Sequence, residues 1–409
     1  MGGAAAGGAS GNGGKDGSTG VGGQSGGAGT SSTVGGGGAG GSMNAGGTGN
    51  SASGGGGNGG APVVTACDDL GTVGTWENVE PAQFHSPSNM QTIAVAVNPS
   101  DQSVFAAASN KTNGGDGSTG IYKSTDCGAT WTQWNTGAGQ ANLATGQLWA
   151  MLIDPSQPQN MYVANGYGNG PTIYKSSNGG VDFVPLQTDP TDQVGFVQAI
   201  ALDPSNPSHV AVTYHQNCSS PYNDNCLSSS TDAGETWELF NGPSEVGGWQ
   251  EAASLSVLGP DSYIYAYGGG VYFTSNGGTS WTKVMEGIFG RYAGSTDLAP
   301  DGSLYLADFQ GIWQSTEDLG AGNPLGKSWS LLEGSPHPVT NLIDDGIRIF
   351  GVTIDGPPFF AASLDAPTVW THLDSPGVTS GSNEMAYDAT HHVVYSANFT
   401  SGLLRLVTR

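Results

Sequence analysis

The stretch STDCGATW, residues 124–131, has relatives at 176–183 (SSNGGVDF), 230–237 (STDAGETW) and 274–281 (TSNGGTSW). Each places a hydroxyl residue, an Asp or Asn, a Gly and an aromatic in one fixed order. Asp126 and Asp232, with Asn178 and Asn276 in the other two copies, can accept backbone N–H groups across a tight turn. Gly128, Gly180, Gly234 and Gly278 are free to take positive φ, and Trp131, Trp237 and Trp281 can then be packed between neighbouring layers. The turn reads as a fastening device, and its recurrence decides the fold.

Aligned on the last aromatic, the copies extend to Trp76, Trp131, Phe183, Trp237, Trp281, Trp329 and Trp370, at steps of 41 to 55 residues. Strand-rich sequence with a period of about 40–50 residues builds one four-stranded propeller blade per repeat. The prediction is an all-β, seven-bladed β-propeller. Within a repeat the order is an apolar strand, a Pro/Asn/Asp turn and a second apolar strand, as in AIALDPSNPSHVAVTY, then a loop, a third strand such as GIYKS, and the turn. The ends complement each other. Trp76 opens a fourth strand before any complete repeat, whereas the last repeat stops after its third strand, GLLRLV. The N-terminal strand TWENV should therefore pair with the C-terminal strand in one composite blade and shut the ring.

Residues 1–60 hold 29 of the 70 glycines, no aromatic, and only Lys15 and Asp16 as charges. Such a segment has too little apolar surface to offset the entropy of ordering it. The expected organisation is a disordered Gly/Ser/Ala-rich linker over 1–62 and the propeller over 63–409. The formal net charge is -24, and the ten Lys and Arg are unclustered, which disfavours nucleic acid and anionic membrane surfaces as partners. No apolar run is long enough to span a bilayer, and Met1-Gly2-Gly3 opens without the charged and apolar regions of a secretory signal.

Four cysteines make an even set. Cys218 and Cys226 flank a polar loop at a spacing compatible with a disulfide, which leaves Cys67 and Cys127 as the other pair. The alternative is four reduced buried thiols. Neither CxxC nor Cys/His spacing points to zinc, and no metal or cofactor is expected.

The repeated turn resembles the Asp-box, or BNR repeat, of sialidases, sortilin-type receptors, xyloglucan hydrolases and photosystem assembly factors. Asn replaces Asp in two of the four copies quoted, STEDLGAGNPLGKSW carries an insertion, and SLDAPTVW is decayed. The resemblance implies the propeller fold and structural Asp-box residues, and it leaves the activity open because one scaffold serves unrelated chemistries. The glycine-rich segment resembles the stalk that follows the lipid-bearing cysteine of bacterial surface lipoproteins. That implies an extracellular or cell-surface location with a lipid anchor upstream of the tether.

In propellers similar to this one, ligands meet the mouth opposite the Asp-box turns. The mouth loops carry Trp149, Tyr167, Trp249, Tyr292 and Phe309 as stacking surfaces, with His215, Arg291 and Asn398 as polar partners. That mixture suits a glycan. An extracellular protein partner is the other ligand class, and the chain is expected to act as a monomer. Glu251, Asp308 and Glu384 are the candidate carboxylates for an acid/base pair, should the protein cleave glycosides as a hydrolase or lyase. Sialidases clamp the substrate carboxylate with three arginines, one ahead of the first Asp-box. Here Arg291 is the first arginine, and Arg348 and Arg405 fall on the opposite face and in the closing strand, so sialidase activity is disfavoured. Xyloglucan hydrolases cut in a cleft between two propellers, and this chain has room for one.

Overall fold

The computed structural model describes residues 67, 70–84, 90–110, 120–166, 172–188, 196–215, 217–246, 253–267, 269–286, 295–317, 322–354, 358–375, 377–378, 381–398 and 401–409. The description covers the compact unit Pro62–Arg409, which forms seven four-stranded antiparallel sheets in a ring. Blade 1 is β2 (Met90–Val97), β3 (Val104–Asn110), β4 (Gly120–Ser124) and β5 (Thr132–Gln133). Blade 2 is β6 (Leu148–Ile153), β7 (Met161–Asn165), β8 (Ile173–Ser176) and β9 (Val184–Pro185). The same order continues through blade 3 (β10–β13, 197–241), blade 4 (β14–β17, 254–286), blade 5 (β18–β21, 296–331) and blade 6 (β22–β25, 339–372).

The seventh blade is composite, as the chain ends imply. Its sheet runs β26 (Ser382–Asp388), β27 (Val393–Asn398), β28 (Gly402–Val407) and then β1 (Trp76–Asn78). Trp76 lies opposite Leu406, Glu77 opposite Arg405 and Asn78 opposite Leu404. Arg405 makes an ion pair with Glu77 at 3.1 Å and donates to the Cys127 carbonyl at 2.9 Å. One side chain of the last strand thus holds both the first strand and the first blade's turn.

Packing explains why the ring stays shut. Seven apolar clusters fill the seven interfaces between blades, and strand alternation feeds them. In β3, Phe105 and Ala107 face blade 2 while Val104, Ala106 and Ala108 face blade 7. Trp76 stacks on Phe359 of blade 6 with centroids 4.1 Å apart, so the composite blade is wedged on both sides.

The recurrent turns join the third and fourth strands. In the first, Ser124 Oγ accepts from the Gly128 N–H at 2.8 Å, and Asp126 accepts from the backbone and hydroxyl of Thr130. Ser230, Asp232, Gly234 and Thr236 repeat this arrangement. Hydrogen bonds from the Thr236 hydroxyl and N–H hold the Asp232 carboxyl down at about 2. Where Asn replaces Asp, the residue four places on changes with it. Asn178 Nδ2 donates to the Asp182 carboxylate, and Asn276 Nδ2 donates to the Ser280 hydroxyl. The turn conserves its bonds by reversing donor and acceptor. Two successive left-handed residues make the bend, Cys127 (φ 53°) with Gly128 (φ 89°) and Ala233 (φ 58°) with Gly234 (φ 92°). The long fifth copy keeps the hydroxyl-to-glycine bond across its insertion, from Gly326 N–H to Ser315 Oγ at 2.8 Å.

The aromatic that ends each turn reaches the preceding blade. Trp131 Nε1 donates to the Val79 carbonyl beside blade 7, and Trp281 Nε1 to the Asn241 carbonyl of blade 3. Both cysteine pairs are disulfides, Cys67–Cys127 and Cys218–Cys226. Cys127 sits inside the first turn, so the first disulfide fastens the entry of the chain to blade 1.

Candidate functional site

The inner strand of each blade lines the central channel, where a cavity of about 290 Å³ opens. It is bounded by Trp149 of β6, Gln198 to Ile200 of β10, Ser254 of β14, Thr296 and Asp297 of β18, Asn341 of β22, and Asn383 and Glu384 of β26. Half of the lining side chains carry hydroxyl, amide or carboxyl groups, and the rest are apolar, with one large aromatic.

The inner strands are irregular at their mouth ends. Pairing of β2, β6, β10, β22 and β26 with their neighbours skips one residue each, at Ile93, Trp149, Gln198, Thr340 and Asn383. A bulge leaves a backbone group without its ladder partner, and side chains crossing the channel supply it. Asn383 Nδ2 donates to the carbonyls of Ile93 and Trp149 at 2.9 and 3.1 Å, and Asn341 Nδ2 to the Asn383 carbonyl at 2.9 Å. Glu384 reaches the same two strands, accepting from the N–H of Val95 at 3.0 Å and of Met151 at 3.5 Å. One face of the channel is therefore stitched across four blades, from blade 6 through blade 7 to blades 1 and 2.

Burial among protein atoms pushes the Glu384 carboxyl up to about 8, against the pull of those two N–H donors. A folded Glu384 keeps its proton until about pH 8, whereas a carboxyl in an unfolded chain loses it near 4.3. Between these values the folded chain holds the extra proton, so stability falls as pH rises through that window. Glu384→Gln should flatten the decline and exceed the wild type at pH 9 by on the order of 2 kcal/mol. The full shift is discounted because the carboxyl lines a cavity that water can enter. Urea unfolding at pH 5 and pH 9 measures this; parallel pH profiles for the two proteins would contradict it.

A second acid site lies in the same channel. Burial and the neighbouring Asp344 charge drive Asp297 well above the usual carboxylate range, and Asp344 is raised chiefly by its own burial. The Asp344 N–H bonds Asp297 Oδ2. Two carboxyls so close share one proton, and it resides on the more buried Asp297.

Of the residues expected at the mouth, the structure brings Trp149 and Glu384 to the cavity. Asp308, Asn398 and His215 are buried where second strands end. Asp308 Oδ1 accepts from the N–H groups of Gln310 and Gly311, closing the turn between β19 (Leu304–Asp308) and β20 (Gly311–Ser315). Asn398 donates to the carbonyls of Ser396 and Gly402, and His215 packs on Phe196 at 4.5 Å. Phe309 is half-buried against the core between blades 4 and 5. Of the three candidate carboxylates, Glu384 lines the cavity, while Oδ1 of Asp308 is held by its hairpin. Tyr167, Trp249, Glu251, Arg291 and Tyr292 lie outside the described residues. Arg348 begins β23 (Arg348–Thr353) beside Asp345 at 2.8 Å, on the end opposite the mouth.

Sequence reasoning missed Asp297, Asp344 and Asn341. They sit on inner strands, where the signal would have been a charge or amide interrupting an otherwise apolar strand.

Fold and channel define a seven-bladed β-propeller with a polar, acid-lined centre. No protein-family model matches the chain. It is similar to a xyloglucanase of Paenibacillus sp, at 29% identity over 297 residues, covering 67% of this chain and 26% of that protein. The chain thus spans about a quarter of that relative's length. Among solved structures it resembles YCF48 from Cyanidioschyzon merolae (TM-score 0.54, 12% identity, 81% of this chain and 98% of that one). PorZ, a bacterial surface component of the type-IX secretion system of Porphyromonas gingivalis, is similar (0.56, 15%, 76% and 46%). So is virginiamycin B lyase from Staphylococcus aureus (0.56, 10%, 81% and 98%). At these identities the structural likenesses establish the fold alone.

Among the described residues, no helix is long and apolar enough to cross a membrane.

Proposed function

We propose that the protein is an exported, surface-tethered propeller that binds a glycan at the channel mouth, with a xyloglucan-like β-glucan as the first ligand to test. The observation that carries this reading is Trp149, a half-buried indole on the rim of a cavity whose other walls mix hydroxyl, amide and carboxyl groups with aliphatic side chains. A flat ring beside hydrogen-bonding groups suits the alternating apolar face and hydroxyl edge of a sugar. The xyloglucanase relative supports the ligand class. Two disulfides fit an oxidising compartment, and the recurrent turns serve as Asp-boxes that brace the blades. Cys67 is fixed to the turn end of blade 1, opposite the mouth.

The test is retention on a panel of immobilised polysaccharides, with reducing and unsaturated ends followed in parallel. Trp149→Ala should weaken binding at least tenfold while leaving the fold intact, and Trp149→Phe should recover part of it. Equal retention of wild type and Trp149→Ala would remove this reading.

Glycoside cleavage is the second reading. It is favoured by the raised Glu384 and Asp297 carboxyls in the cavity and by the same relative. New chain ends that vanish in Glu384→Gln or Asp297→Asn would establish it. The present geometry favours binding, since both Glu384 oxygens are engaged by backbone N–H groups.

A further inference from the structure

The seam where blade 7 meets blade 1 gathers three metal-ligating side chains that sequence spacing separates widely. The sulfurs of Cys67 and Cys127 and a ring nitrogen of His391 all lie within 4.8 Å of one another. His391 belongs to the turn between β26 and β27, and its Nδ1 stands 2.6 Å from Oδ2 of Asp388. Asp388 is fully buried, and its other oxygen is fixed by the N–H groups of Thr390 and His391. A histidine anchored through Nδ1 by a carboxylate keeps its lone pair on Nε2, the arrangement that orients imidazole toward a metal.

We propose that, once the Cys67–Cys127 disulfide is reduced, the two thiolates and His391 bind one zinc ion at this seam, with water in the fourth position. Zn–S bonds of about 2.3 Å and a Zn–N bond of about 2.0 Å put tetrahedral ligand atoms roughly 3.5–3.8 Å apart. The three atoms already lie within 4.8 Å of one another, so closure on a metal needs a shift of about an ångström at the histidine, while opening the S–S bond supplies the separation between the sulfurs. A dithiol reductant provides two electrons and two protons: the protein disulfide becomes two thiols while the reductant closes to its own cyclic disulfide. Zinc then displaces the two thiol protons to solvent. The joint that fastens the chain entry to blade 1 has two alternative locks, a disulfide and a metal bridge.

Cobalt(II) is the probe, because thiolate ligation gives it a charge-transfer absorption and a tetrahedral site gives it visible bands. The full chain is reduced with a dithiol, freed of it without oxygen, and titrated. One cobalt per chain should bind with thiolate absorption, zinc should displace it, and zinc should raise the melting temperature of the reduced protein. The oxidised chain should show no such absorption. Cys67→Ser should lose it, Cys218→Ser/Cys226→Ser should keep it, and His391→Ala should bind at least tenfold more weakly. Melting of oxidised His391→Ala, where the disulfide is intact, separates ligand loss from misfolding. The proposal is overturned if reduced protein binds no cobalt, if His391→Ala binds equally well, if the signal follows Cys218 and Cys226, or if zinc fails to stabilise a reduced chain that has lost its near-ultraviolet circular dichroism.

Discussion

Deletion of residues 401–409 is expected to abolish cooperative folding of the whole propeller. The nine residues include all of β28, the strand that pairs on one side with β27 and on the other with β1. Leu403, Leu404, Leu406 and Val407 are buried. At roughly 2 kcal/mol for each large apolar side chain removed from the core, they represent about 8 kcal/mol, comparable to the 5–15 kcal/mol that typically separates folded from unfolded domains. The loss spreads because Leu403 packs toward blade 1 and Leu404 and Leu406 toward blade 6. β1 would lose its hydrogen-bonding partner, Glu77 its arginine, and two interfaces part of their cores. Full-length protein, the 401–409 deletion and a control lacking only Arg409 can be compared by near-ultraviolet circular dichroism and thermal melting. The control should melt as full-length does, and the longer deletion should show no sharp transition. A deletion that melted at the full-length temperature would mean that the ring is held by something other than its composite blade.

The contrast between ring and channel shows what sequence carries. Blade number and closure were legible because they rest on short-range chemistry: an acceptor, a left-handed glycine and an aromatic in one order, repeated at a near-constant interval. The Cys218–Cys226 pairing was legible from cysteine spacing, and Cys67–Cys127 only as the pair that the even count left over. Blade 6 was legible only by interval, since its turn SLDAPTVW is decayed and NLIDDGIRIFGV lacks the Asp-Pro-Ser or Asn-Pro-Ser turn of blades 1 to 3. The channel was less legible for a geometric reason. Side-chain direction along a strand has period two, and a bulge of one residue reverses it. Each of the bulges at Ile93, Trp149, Gln198, Thr340 and Asn383 re-aims its inner strand. Glu384 therefore stitches three blades together instead of standing in a loop. Asp297 and Asp344 are 47 residues apart and meet only because consecutive blades are adjacent in the ring. Asp308 and Asn398 read as mouth residues because they end second strands. Such positions also need an acceptor or donor to close the following hairpin, and these two side chains are used for that.

The Cys67–Cys127 disulfide should contribute more to stability than Cys218–Cys226, although both are single covalent links. A cross-link mainly limits the unfolded chain, and its effect grows with the length of the closed loop. The separations are 60 and 8 residues, which correspond to about 4 and about 2.5 kcal/mol in the chain-entropy account. Location adds to the difference. Cys218–Cys226 closes a loop between two strands of blade 3, where its sulfurs pack in the cluster between blades 2 and 3 but do not bear on closure of the ring. Cys67–Cys127 ties the residues before β1 to the first turn of blade 1, in parallel with the β1–β28 pairing and the Arg405 bonds to Glu77 and Cys127. Cys67→Ser/Cys127→Ser should therefore lower the melting temperature by about 5 °C, taking roughly 2.1 cal/mol/K of unfolding entropy per residue of the propeller. Cys218→Ser/Cys226→Ser should lower it by about 3 °C on the same basis. If the Cys218 and Cys226 variant proved the less stable of the two, loop entropy and closure of the ring would both be the wrong explanation for where this chain spends its cross-links.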